Sequence, residues 1–171
     1  MRILIVAMTL LWSTFSFAHA RLKASNEVMP RSTNAGVKVG PCGGYARAVS
    51  PPVLAPGQTI TVNWEEVIDH PGRYEFYFSS ASDQNFMLLA TIPDTATGAL
   101  PHQYTTQLTL PNVTCTDCTL QMIQVMTENP NMPSLYFSCA DMKLEAGAQP
   151  TATPAPTATP VATPLPPMDC N

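Results

Sequence analysis

Thr59-Ile60-Thr61-Val62-Asn63-Trp64 alternates polar and apolar side chains without a break. A strand turns successive side chains to opposite faces, so this segment predicts a strand with one buried face, and Trp64 falls on that face. Past the Pro71-Gly72 turn signal, Arg73-Tyr74-Glu75-Phe76-Tyr77-Phe78 repeats the pattern and aligns Tyr74, Phe76 and Phe78. Working outward, Phe86 to Ile92 is an apolar run closed by Pro93-Asp94, and Tyr104 to Leu110 alternates again. Leu120 to Met126, Leu135 to Leu144 and a first strand near Arg21 to Glu27 complete the set, with further turn signals at Pro56-Gly57, Pro111-Asn112 and Asn129-Pro130-Asn131. About seven short strands at this spacing predict an all-β sandwich of the immunoglobulin or fibronectin-III kind. No segment carries a helical period, which excludes parallel α/β folds.

The flanks have different chemistry. Met1-Arg2, the apolar run Ile3 to Trp12 and the mostly small residues Ser13 to Ala18 have the three parts of a secretory signal peptide, residues 1–18. The run falls short of the roughly 20 apolar residues a membrane helix needs, and no later segment reaches that length. The expectation is an exported protein, secreted or at the cell surface or periplasm, with no membrane span. Residues 149–171 are dominated by Pro, Thr and Ala (TATPAPTATPVATPLPP), which cannot bury a core and favour extended polyproline geometry. They predict a disordered tail or stalk. One domain remains, residues 19–148, expected to be a monomer. Net charge is −4 and no basic stripe exists, which argues against nucleic acid as a partner.

There are five cysteines. In an oxidising compartment the four inside the domain should pair. Of the three possible connectivities, we favour Cys115–Cys118 as a local clip and Cys42–Cys139 as a long staple. The long loop restrains the unfolded chain most, by about 3–5 kcal/mol in the chain-entropy model. A CxxC can also be a redox motif or half a zinc site, but no second pair faces this one. Cys170 is left over in the tail.

The histidines are His19, His70 and His102. Two leader cuts fit the small-x-small rule, one before His19 and one before Arg21, and the pattern leaves both open. The first has a chemical consequence. An N-terminal histidine offers its α-amine and Nδ1 to one metal, and a second imidazole opposite completes three nitrogens that suit copper(II). The α-amine, with a reference pKa near 8, can lose its proton near neutral pH. His70, in the turn Asp69-His70-Pro71-Gly72, sits at a sandwich end where loops carry function. It is the candidate second imidazole, although a histidine in a turn is more often plain surface. His102, in Leu100-Pro101-His102, reads as a solvated loop residue.

Together these features resemble the lytic polysaccharide monooxygenases. The resemblance rests on an exported sandwich starting His19-Ala20, Gly40-Pro41-Cys42-Gly43-Gly44, a later turn histidine, and Tyr136-Phe137-Ser138-Cys139-Ala140-Asp141 in the last strand. It covers most of residues 19–144 and is nearest the bacterial, chitin-binding members. It implies a histidine brace in which His19 and His70 hold one copper ion, with Tyr136 as the axial aromatic. Without the resemblance Tyr136 reads as a core side chain. A staple from the last strand to an earlier cysteine is also implied, consistent with Cys42–Cys139. Ser134 stands where some members carry a Gln beside the metal, a departure that touches oxygen activation.

The implied reaction is oxidative cleavage of a chitin- or cellulose-like polysaccharide, with a polysaccharide surface and an electron donor as partners. No glycosidase-type carboxylate pair, Gly-x-Ser-x-Gly elbow or His-Glu-x-x-His helix competes with it. Tyr45, beside Gly43-Gly44, is a candidate sugar contact. The alternatives are a non-catalytic copper-binding or copper-carrier protein, and a metal-free surface sandwich on a stalk.

Overall fold

The computed structural model describes residues 19–148, so the expected signal peptide, the expected tail and Cys170 lie outside the described residues. Nine strands form two sheets: β1 (Ala20–Leu22), β2 (Met29–Pro30), β3 (Val53–Leu54), β4 (Thr59–Glu66), β5 (Gly72–Ser79), β6 (Met87–Pro93), β7 (His102–Thr109), β8 (Cys115–Met126) and β9 (Ser134–Leu144). One sheet runs β1-β4-β7; the other runs β2-β9-β8-β5-β6, with β3 parallel to β9 at its edge. All other pairings are antiparallel. Among the described residues no helix is long and apolar enough to cross a membrane.

The count exceeds the expected seven because β2 and β3 are two-residue strands, too short to leave a periodic signal. The first strand also stops earlier than expected, at Leu22. Beyond it Ser25 Oγ accepts the backbone N–H groups of Glu27 and Val28 at 3.2 and 3.0 Å, and this side-chain turn diverts the chain from the sheet.

Inward-facing rows of β4, β5, β8 and β9 build the core. Ile60, Val62 and Trp64 meet Tyr74 and Phe76 across the layer, with Leu120, Met122, Ala140 and Met142 beside them. Trp64 is fully buried and stacks on Tyr104 with ring centroids 5.1 Å apart. The apolar Phe86–Ile92 run supplies an edge strand rather than a central one. Its β6 pairs only with β5, and Met87 and Leu88 are half exposed. Two disulfides, Cys42–Cys139 and Cys115–Cys118, fasten the sheet. The second closes the register irregularity at the start of β8.

At one end the inward rows stop being apolar. The position after Trp64 in the β4 row is Glu66, with no exposed surface. Its neighbour on β7 is His102, and the corresponding positions on β8 and β9 are Gln124 and Tyr136, paired with each other in register.

Candidate metal centre

His19 precedes β1 at this polar end. Its carbonyl accepts the N–H of Val67 at 2.7 Å, just past β4, and within β1 the N–H of Leu22 donates to Ser138 Oγ of β9 at 3.1 Å, so this segment is tied to both layers. The His19 ring lies flat on Tyr136, centroids 3.5 Å apart and planes 15° apart. The His70 ring is parallel to it within 7°, at 5.1 Å. Three residues widely separated in sequence therefore share one cluster, and the aromatic Tyr136 forms its floor. Lys38 Nζ lies 4.9 Å from the centre of the Tyr136 ring. Its segment is tied to β9 by the Phe137 N–H donating to the Val37 carbonyl at 2.8 Å.

The position of His70 follows from strand register. Gly72 pairs with Met126, and His70 and Glu128 lie two residues beyond that pair, one on each chain segment. A side chain at Gly72 would meet the Val125 carbonyl at 2.1 Å, so only glycine lets the turn come this close. The Pro71 carbonyl accepts both the N–H and the hydroxyl of Thr127. Glu128 Oε1 then contacts His70 Nδ1. Such a contact orients the ring and puts the proton on Nδ1, leaving Nε2 as the lone-pair nitrogen.

His19 is only 7 % exposed, and its Nδ1 is buried with no hydrogen-bond partner. Burial, reinforced by the nearby His70 and Lys38 and opposed by Glu128, pulls its pKa down to about 4. The ring is thus neutral at pH 7, the form that ligates metals. A buried ring nitrogen without a partner costs free energy unless something fills its lone pair.

The other expected residues fall as follows. Ser134 is exposed at the start of β9, and the buried amide beside Tyr136 is Gln124. Tyr45 is 37 % exposed, and its hydroxyl accepts from Asn34 Nδ2 at 3.1 Å. His102 corrects the sequence reading. It is the first residue of β7, 5 % exposed, with Nδ1 3.0 Å from Glu66 Oε2 and Nε2 3.4 Å from the Gly98 carbonyl. A preceding Pro and no visible periodicity made it resemble a loop. Its pairing with Glu66 across the β4–β7 ladder draws it inside.

Around it lies a buried polar network that sequence reasoning missed. Gln124 Nε2 donates to Glu66 Oε1 at 2.8 Å. Tyr74 donates to Asp94 Oδ2 at 3.0 Å, and the Tyr104 hydroxyl donates to the other Asp94 oxygen. Burial, with Asp94 adding to it, raises the Glu66 pKa, and the Glu66 contact raises that of His102. Glu128, Lys38 and Gln124 gave no signal in the sequence, because register and loop packing alone bring them here.

No family model and no curated protein matches this chain. Among solved structures it is similar to a cellulose-active polysaccharide monooxygenase from M. thermophila, at 17% identity and TM-score 0.48, over 67% of this chain and 61% of that one. It is similar also to an AA10 lytic polysaccharide monooxygenase from Streptomyces lividans, at 14% identity and TM-score 0.48, over 75% and 83% of the two chains. A chitin binding domain from Burkholderia pseudomallei aligns at 13% identity and TM-score 0.46, over 74% and 85%. The chain thus spans under two thirds of the length of the first of these.

Proposed function

We propose that this is an exported copper protein that oxidatively cleaves a polysaccharide, its ion held by the α-amine and Nδ1 of an N-terminal His19 and by His70 Nε2. The observation that carries the reading is the buried, unpartnered Nδ1 of His19 beside a parallel imidazole whose own Nδ1 is already engaged. The unpartnered His19 nitrogen, with the His70 Nε2 edge beside it, fits copper better than it fits any hydrogen-bond arrangement among its neighbours.

Each residue has a distinct task in this reading. Glu128 holds the tautomer and orientation of His70. Tyr136 closes the inner side of the site and keeps water from it. The carbonyl of His19, bonded to Val67, fixes the direction of the α-amine that leader removal frees. Copper, when bound, would supply one-electron oxidation of a sugar C–H, with dioxygen or peroxide as oxidant and an external electron donor.

A copper-binding protein without catalysis is the second reading, and one observation favours it. Among the large apolar side chains that stand exposed in the described residues, Tyr45 is the only aromatic, and its hydroxyl is engaged by Asn34. A ready platform for stacking sugars is therefore small.

N-terminal sequencing and intact mass of the exported protein are the first test, and His19 is expected as residue one. Copper should then bind one-to-one and tightly, and His70→Ala should abolish that binding. A chain starting at Arg21 would end both copper readings. Copper binding without oxidised oligosaccharides from chitin or cellulose plus reductant would leave only the second.

A further inference from the structure

Behind the turn that carries His70, three carboxylates surround one imidazole. Glu66 and His102 are buried and Asp69 is exposed, and one donor atom from each lies within 4.8 Å of the other two. Asp94, held by the Tyr74 and Tyr104 hydroxyls, adds a further carboxylate on the inner side. Among the described residues, no Lys or Arg forms an ion pair with Glu66, Asp69 or Asp94. Buried carboxylates are ordinarily paired or bound to metal.

The hydrogen bonding points the same way. His102 Nδ1 lies 3.0 Å from Glu66 Oε2 and Nε2 lies 3.4 Å from the Gly98 carbonyl, two acceptors for a ring that has one N–H when neutral. With that proton on Nε2, the Nδ1 lone pair and the Glu66 oxygen need a second proton or a cation between them. Gln124 supplies an independent sign. It is 1 % exposed, its Nε2 is docked on Glu66 Oε1, and its Oε1 is buried without a partner. Orienting contacts of this kind, a carbonyl behind the imidazole and an amide behind the carboxylate, are what metal ligands usually carry.

We propose that Glu66, Asp69 and His102 form a second divalent-cation site, of the zinc class, that braces the Val67–Pro71 turn bearing His70. Zinc takes nitrogen and carboxylate oxygen at about 2.0–2.2 Å in a tetrahedron, which sets donors about 3.4 Å apart. Glu66 and His102 are already within that spacing. Asp69, exposed on the turn, is free to close the remainder, and solvent completes the fourth position. Because Asp69 adjoins His70, filling the site would order the turn and so favour one position of the His70 ring.

The site uses neither His19 nor His70, so its test stands whether or not those residues hold copper. The full exported chain is stripped with chelator, and zinc uptake is read by calorimetry and elemental analysis in the His70→Ala variant and in copper-treated wild type. One zinc per chain is expected in both, with a raised midpoint of thermal unfolding. Asp69→Asn, an exposed change that leaves the fold intact, should weaken zinc at least tenfold, and His102→Gln should abolish its uptake. Cobalt(II) in the same site should show the visible absorption of four-coordinate nitrogen–oxygen ligation. The proposal is overturned if the His70→Ala chain takes up no zinc. It is equally overturned if zinc uptake is indifferent to Asp69→Asn, since a shared proton would then fill the space between Glu66 and His102.

Discussion

On the outer flank of β9, Arg31 and Arg47 face Asp83 and Asp141; at the polar end of the sandwich, Glu66, Asp94 and Asp69 face His102 alone. Both clusters bury charge. In the first, the Arg31 guanidinium is 2 % exposed and spans both carboxylates, Asp141 also takes the N–H of Ala48 at 2.7 Å, and the Thr119 hydroxyl donates to Asp83 at 2.6 Å. Of the three buried side-chain atoms without a partner among the described residues, none belongs to this network, and two, His19 Nδ1 and Gln124 Oε1, sit at the polar end. A closed network holds loops in place, here the Arg31 and Arg47 segments and the Asp83 turn. An open one is tolerated where a ligand completes it, and under the proposed function that contrast separates scaffold from site.

The largest effect should come from opening the closed network. Asp141→Ala leaves two arginines facing no buried carboxylate partner at that position and should cost about 3–5 kcal/mol in urea unfolding. Copper affinity of the molecules that remain folded should not change. A loss of copper binding as large as the loss of stability would mean that the two regions are not separate.

The converse substitution acts on the open end. Glu128→Gln removes the charge behind His70 while keeping its shape, and should weaken copper by about 10–100-fold. The unfolding midpoint should barely move, because Glu128 lies outside the core. Unchanged affinity would show that Glu128 does not orient the ring.

The smallest effect is in acid. Hydrogen bonding from Arg31, then from Thr119, holds the Asp83 carboxyl below its ordinary range against the cost of its burial. A depressed pKa stabilises the fold fully above the unfolded value, about 3.9, and that contribution fades as pH falls through the folded value. Asp83→Asn should therefore be less stable at neutral pH and lose less stability than wild type on acidification below about pH 4. Parallel curves for the two proteins in urea titrations would remove Asp83 from the account.

Legibility differed between these regions. The alternation of residues 59–64 and the aromatic spacing of residues 73–78 announced the sandwich, since burial of one strand face imposes a period of two. The same alternation, carried two residues past Trp64, points Glu66 inward. Hydropathy hid this, because a carboxylate in an inward row reads as the end of the strand. His102 was misread for the same reason, its burial being decided by a partner 36 positions away. The apolar Phe86–Ile92 run was legible as a strand, but its place at the edge was not, since an edge strand keeps one side open whatever its composition.

Strand period, turn residues and cysteine content are local properties, written in consecutive side chains, and from them the sequence alone determined an all-β layered domain with a disulfide staple. Which polar groups share a space is not local. Antiparallel register sets Glu128 against His70 and Gln124 against Tyr136, and a Ser138 hydroxyl ties β1 across to the other sheet. Only the tertiary structure could decide that His19 Nδ1 ends up buried without a partner, because an unsatisfied atom is defined by everything packed around it.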